Sequence, residues 1–177
     1  MSLQPIRPLL ATTLLGFLIV PAQAATYQFH QAGFSGGGVI MGSFDAVDLD
    51  GNGQISSFYG EVSSFSLSFS GDALVADFTH GLPDLYGLVY DLGSGFIGDG
   101  SSGAVEGMAS NWLGSVGFDY ASGMGPAQMF GGRVIDIASG ATTSTPDLIA
   151  VVPEPATWVS LLAGLGVLSL LTRRKSA

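Results

Sequence analysis

The acidic stretch over residues 48–55 is the part of this chain whose residue types and spacing are best suited to chemistry. Side-chain oxygens recur at every second residue, from Asp48, Asp50 and Asn52, and a glycine follows them. Alternate side chains of a tightly turned loop converge on one point, and the backbone carbonyl of Gln54 adds a further oxygen. Hard oxygen ligands of this kind suit Ca²⁺, so the sequence predicts a calcium-binding loop.

The same stretch resembles the first two thirds of an EF-hand or dockerin calcium loop. That resemblance implies a bidentate carboxylate at the twelfth position, where this chain has Tyr59. The nearest acid is Glu61, two residues later, and we predict that it closes the site from the start of the next strand. Asp45 is an auxiliary candidate. The alternative interpretation is a surface turn, built on Asp-Gly and Asn-Gly pairs, that binds no ion.

Two enzymatic arrangements deserve comparison with the calcium loop. His30 and His80 have many serines and aspartates around them, but a Ser-His-Asp triad is disfavoured because no G-x-S-x-G turn is present. Paired carboxylates for glycoside hydrolysis remain open, since Glu106 and Asp119 each have an aromatic residue nearby in sequence. We predict no catalytic residue.

Aromatic side chains offer a further binding chemistry, because their rings stack on the faces of sugars. The candidates are Trp112, Tyr86, Tyr90 and Tyr120. In a β-sandwich such residues belong to the core more often than to a binding surface.

Short strands must position all of these residues. Strands are predicted over 27–31, 39–44, 65–70, 85–92, 116–120, 133–137 and 148–152, with glycine-rich connections between them. This pattern predicts an all-β fold, an antiparallel β-sandwich or jelly-roll-like body. Residues 104–112 are the exception, because their apolar residues fall at helical spacing and predict a short helix.

A β-hairpin is predicted where Phe65, Leu67 and Phe69 alternate with serines. Gly71 and Asp72 read as a two-residue turn, which places residues whose numbers sum to 143 opposite each other. Phe69 would then face Leu74, Leu67 would face Ala76, and Phe65 would face Phe78.

The charge of the chain is divided unequally. Thirteen acids and a single arginine, Arg133, lie between residues 25 and 152, so this body carries a formal charge of −12. A surface of that sign repels phosphate backbones, so nucleic acid is excluded as a partner. The chain has no cysteine, which excludes disulfides, thiol nucleophiles and thiolate metal sites.

The N-terminal segment has the pattern of a secretory signal peptide. Arg7 precedes an apolar stretch over residues 9–20, and Ala22 and Ala24 supply small residues at the cleavage positions. We therefore predict a signal peptide over residues 1–24 and an acidic β-sandwich body over residues 25–150.

The C-terminal segment over residues 151–177 combines three features. Its Val152, Pro153, Glu154 and Pro155 precede an apolar run long enough to span a bilayer as a transmembrane helix, and a cationic cluster follows. The cluster consists of Arg173, Arg174 and Lys175.

This combination resembles the PEP-CTERM sorting segment of exported bacterial proteins. The resemblance implies a transient anchor in the inner membrane and cleavage near Pro-Glu-Pro by a membrane transpeptidase of the exosortase type. It also implies release to the cell surface or the extracellular matrix of bacteria that build extracellular polysaccharide.

Together these features predict an exported surface or matrix protein with a structural or adhesive role in a biofilm. Calcium would stabilise it, or bridge its acidic surface to acidic extracellular polysaccharide. Two alternatives remain open: a carbohydrate-binding module for extracellular polysaccharide, and a small hydrolase acting on matrix polymers.

Overall fold

The computed structural model describes residues 24–100, 105–123, 125 and 129–153. These residues form twelve strands and two single-turn 3₁₀-helices, at Ser57–Tyr59 and Leu82–Asp84, and contain no α-helix. The strands are β1 (Ala25–Gln31), β2 (Ile40–Ala46), β3 (Gln54–Ser56), β4 (Val62–Phe69), β5 (Phe78–Gly81), β6 (Leu85–Asp91), β7 (Phe96–Ile97), β8 (Gly107–Ser110), β9 (Phe118–Gly123), β10 (Met129–Asp136), β11 (Thr142–Thr145) and β12 (Ile149–Pro153).

The strands build two six-stranded antiparallel sheets, as an all-β fold requires. The first sheet has the order β5-β4-β2-β1-β12-β7, and the second has the order β11-β10-β9-β8-β6-β3. Strands β8 to β11 follow one another within the second sheet, whereas the chain changes sheet before β3, β4, β6, β7, β8 and β12.

The hydrophobic core lies between the two sheets and is rich in aromatic rings. Tyr27 and Phe44 of the first sheet stack with ring centroids 5.0 Å apart, and Tyr90 of the second sheet meets both rings edge-on. Phe78 of the first sheet stacks on Phe118 of the second at 4.8 Å. The sheets therefore face each other across one sandwich-like core.

A polar contact also crosses this core. The Tyr120 hydroxyl donates to Gln31 Oε1 at 2.7 Å, and Gln31 Nε2 donates to Ser122 Oγ and to the Asp147 carbonyl. Tyr120 and Tyr90, both candidates for stacking on sugars, are fully buried. The pKa of the Tyr120 hydroxyl is raised more than that of Tyr90, because burial disfavours its charged phenolate form.

The predicted hairpin is present, but the predicted pairing register of its two strands is wrong. Phe69 pairs with Phe78 rather than with Leu74, and Leu67 pairs with His80. The cause is a longer turn in which Asp72 Oδ1 accepts the N–H groups of Leu74 and Val75. The register differs by an even number of residues, so Phe65, Leu67 and Phe69 keep their predicted place in the core.

The predicted helix over residues 104–112 is wrong. Residues 107–110 form the central strand β8, which pairs with β6 and β9. All four of its residues are buried, so the strand lacks the polar and apolar alternation by which a strand is recognised. Residues 101–104 lie outside the described part of the chain.

Most of the other predicted strands overlap observed ones, namely β1, β2, β6, β10 and β12. The strand predicted over 116–120 begins later, at Phe118, because Gly117 before it has a φ of +82° and Val116 is exposed. The short strands β3, β7 and β11 were not predicted from the sequence.

The predicted transmembrane segment lies outside the described residues, as does the signal peptide except Ala24. Within the described residues, no helix has the length and hydrophobicity needed to cross a membrane.

Candidate calcium site

The candidate calcium loop connects β2 of the first sheet to β3 of the second. Asp48 organises it, because its carboxylate accepts the backbone N–H groups of Gly51, Asn52 and Gly53 at 2.8–3.2 Å. These hydrogen bonds, led by the one from Gly53, lower the pKa of Asp48. Asp48 is therefore ionised at neutral pH, which is the state that binds a cation.

Glu61 closes this loop from the other side. Its side chain is 3% exposed, and its two oxygens accept the N–H groups of Leu49 at 2.9 Å and Ser56 at 2.7 Å. Each carboxylate oxygen accepts more than one hydrogen bond or ligand, so these contacts fix the position of Glu61 without excluding an ion.

The two-residue delay between Tyr59 and Glu61 has a structural explanation. The 3₁₀-helix Ser57–Tyr59 follows β3 directly, and Gly60 ends it with a left-handed φ of +76°. This inserted turn leaves Tyr59 72% exposed and returns the chain to the loop at Glu61.

Three of the five predicted ligands converge. Carboxylate oxygens of Asp48, Asp50 and Glu61 lie within 4.8 Å of one another. Asn52 Oδ1 accepts the Gln54 N–H, and Gln54, whose backbone carbonyl is the predicted ligand, donates from its side chain to Asp91. The auxiliary candidate Asp45 accepts a hydrogen bond from Thr26.

The donor set fits Ca²⁺ chemically. All three side chains present hard carboxylate oxygens, and Asp50 is exposed while Glu61 is buried, so the cluster opens toward solvent. The only arginine of the body, Arg133, lies over the Trp112 ring at 5.7 Å. Bringing three carboxylates together is unfavourable unless a cation offsets their repulsion.

A second carboxyl pair, Asp99 and Glu106, lies apart from this loop and was not predicted as a pair. Glu106 is fully buried, and its Oε1 has no hydrogen-bond partner among the described residues. Burial, with the charge of Asp99, raises the pKa of Glu106 to about 7. A raised pKa suits a general acid, but full burial keeps this carboxyl away from a polymeric substrate.

His80 makes the contact that most resembles a catalytic one. Its Nδ1 lies 2.7 Å from Ser110 Oγ, and burial lowers its pKa. Ser110 is fully buried, so no substrate reaches its hydroxyl, and the pair joins the two sheets instead. His30 is exposed on β1.

The predicted sorting segment begins inside the fold. Val152 and Pro153 belong to β12, where they pair with Gln28 and Tyr27 of β1. The other predicted sorting residues, Glu154, Pro155, Arg173, Arg174 and Lys175, lie outside the described residues, as does Ala22.

Comparison with known families confirms the resemblance of this segment. Residues 151–175 match the PEP-CTERM protein-sorting motif. The motif indicates an exported surface protein that is anchored in the membrane transiently and processed by an exosortase. Searches of the curated proteins and of the solved structures give no significant match.

Proposed function

We propose that this chain is a structural or adhesive protein of the cell surface or extracellular matrix, and that its body binds Ca²⁺ at Asp48, Asp50 and Glu61. The observation that carries this proposal is the convergence of these three carboxylates within 4.8 Å. The bound ion contributes folding stability, because it binds the folded loop and not the unfolded chain.

The same ion has a second role at the surface. Ca²⁺ takes six to eight oxygen ligands, and three carboxylates supply at most six of them. Because Asp50 faces solvent, the remaining positions are accessible to carboxylates of an acidic extracellular polysaccharide. The ion thereby bridges two anionic partners that would otherwise repel each other.

Retention at the surface of producing cells tests this adhesive role. Cells carrying the full chain are fractionated with and without a calcium chelator, and the protein is measured in the surface fraction and in the medium. We expect the chelator to move the protein into the medium, and Asp50→Asn to do so without a chelator. Asp50 is the suitable position because its side chain is exposed.

Asp77→Asn is the matched control, because it removes an equally exposed acid from a different connection. It should leave surface retention unchanged. If the chelator leaves the parent chain at the surface, or if Asp50→Asn is retained like the parent chain without a chelator, the calcium bridge is refuted.

A further inference from the structure

A groove lies on the outer face of the second sheet, beside the calcium loop, with which it shares Gln54. Leu88 and Tyr90 of β6 belong to the core, and Gly87, Leu88 and Val89 of the same strand line this groove. Its volume is about 440 Å³, within the range of about 300–1,000 Å³ that is typical of small-ligand sites.

Aromatic rings form one wall of the groove. Phe58 and Tyr59 come from the 3₁₀-helix after β3, and Tyr86 comes from β6, where the pairing with β8 is irregular. Their side chains are 66%, 72% and 54% exposed. A Cβ at Gly87 would lie 2.7 Å from the Phe58 ring, so the glycine allows this ring to rest on the sheet.

Polar but uncharged groups complete the lining. Gln54 and Ser56 reach the groove from β3, and the described residues that line it include no acid or base. Gln54 Nε2 donates to Asp91, which leaves Gln54 Oε1 as an acceptor. In a body with a formal charge of −12, these uncharged lining residues suit a neutral ligand.

We propose that this groove binds a segment of a neutral glycan chain. A sugar ring has an apolar C–H face that packs on an aromatic ring, and an edge of hydroxyls that both donate and accept hydrogen bonds. The wall of Phe58, Tyr59 and Tyr86 matches the face, and the amide of Gln54 with the tyrosine hydroxyls matches the edge.

A proline-rich peptide is the main competing occupant, because such peptides also dock in aromatic-lined grooves. Its backbone offers carbonyl acceptors and therefore needs donors from the groove. One N–H of the Gln54 amide is committed to Asp91, and the Oε1 acceptor that remains suits a sugar hydroxyl, a donor that a proline backbone lacks. The glycan proposal goes beyond the calcium bridge, since it requires neither an ion nor an acidic polymer.

Calorimetric titration of the full chain tests the groove. The chain is purified in a detergent without a sugar head group and titrated with neutral hexasaccharides of glucose, of xylose and of N-acetylglucosamine. We expect at least one of them to bind, and Tyr59→Ala and Tyr86→Ala each to weaken its affinity about tenfold. Tyr86→Phe keeps the ring and should retain most of the affinity.

Phe96→Ala is the matched control, because Phe96 is a half-exposed aromatic residue on β7 of the other sheet. Binding of no hexasaccharide, or binding that Tyr59→Ala and Tyr86→Ala leave unchanged, would overturn the proposal. So would tyrosine-dependent binding of a polyproline peptide without any glycan. Titrations in excess calcium and in EDTA show whether glycan binding depends on calcium, so this result is independent of whether the loop binds the ion.

Discussion

At the scale of single residues, the calcium loop shows which parts of a site residue spacing can predict. The alternation of Asp48 and Asp50 predicted a point of convergence, and the structure brings both side chains together with Glu61. The position of Glu61 depended on a 3₁₀-helix that no spacing rule specifies. The pair of Asp99 and Glu106 was beyond sequence reasoning, because burial of Glu106 arises only when the sheets assemble.

Glu106 provides a prediction at this scale. Its pKa rises from an ordinary 4.5 to about 7, so the folded state holds its proton more tightly than the unfolded state does. Below about pH 4.5 both states are protonated, and as the pH rises toward 7 only the unfolded state gains by ionising. This group therefore destabilises the fold progressively between these two values.

The variant Glu106→Gln removes this titration. We expect it to be more stable than the parent chain by about 1–3 kcal/mol at pH 8, and no more stable at pH 4. Urea unfolding at both pH values measures the difference, with Asp77→Asn as an exposed control. An identical pH dependence of the parent chain and Glu106→Gln would contradict the assignment.

At the scale of elements, the sequence predicted which faces are buried better than which residues pair. Alternation on β4 correctly placed Phe65, Leu67 and Phe69 in the core, because the two faces of that strand differ in polarity. The register of β4 with β5 depended on the turn, which the side chain of Asp72 shapes. Strand β8 was missed because both of its faces are covered.

Asp72 is therefore expected to stabilise the β4–β5 hairpin. Asp72→Ala leaves the N–H groups of Leu74 and Val75 without their acceptor, and we expect it to lower the free energy of unfolding by about 1–2 kcal/mol. Asp77→Ala, in the same connection, should change it by less than about 0.5 kcal/mol. Equal unfolding midpoints for the two variants in urea would show that Asp72 does not shape the turn.

At the scale of the whole molecule, the sorting motif and two predicted features lie at one end of the first sheet. Ala25 pairs with Ala46, directly before the calcium loop, and Tyr27 pairs with Pro153 in the sorting segment. The predicted start of the mature body, the candidate calcium site and the sorting motif thus leave the sheet side by side.

The most direct test of the calcium site is the thermal unfolding of the full chain in detergent, with calcium and with EDTA. Calcium at one hundred times its Kd stabilises a folded protein by about 2.7 kcal/mol, which corresponds to a rise in Tm of about 5–10 °C for a chain of this size. We predict that rise for the parent chain and for Asp77→Asn, and none for Asp50→Asn combined with Glu61→Gln. A parent chain whose Tm ignores calcium, or a double variant that responds to calcium equally, would contradict the account.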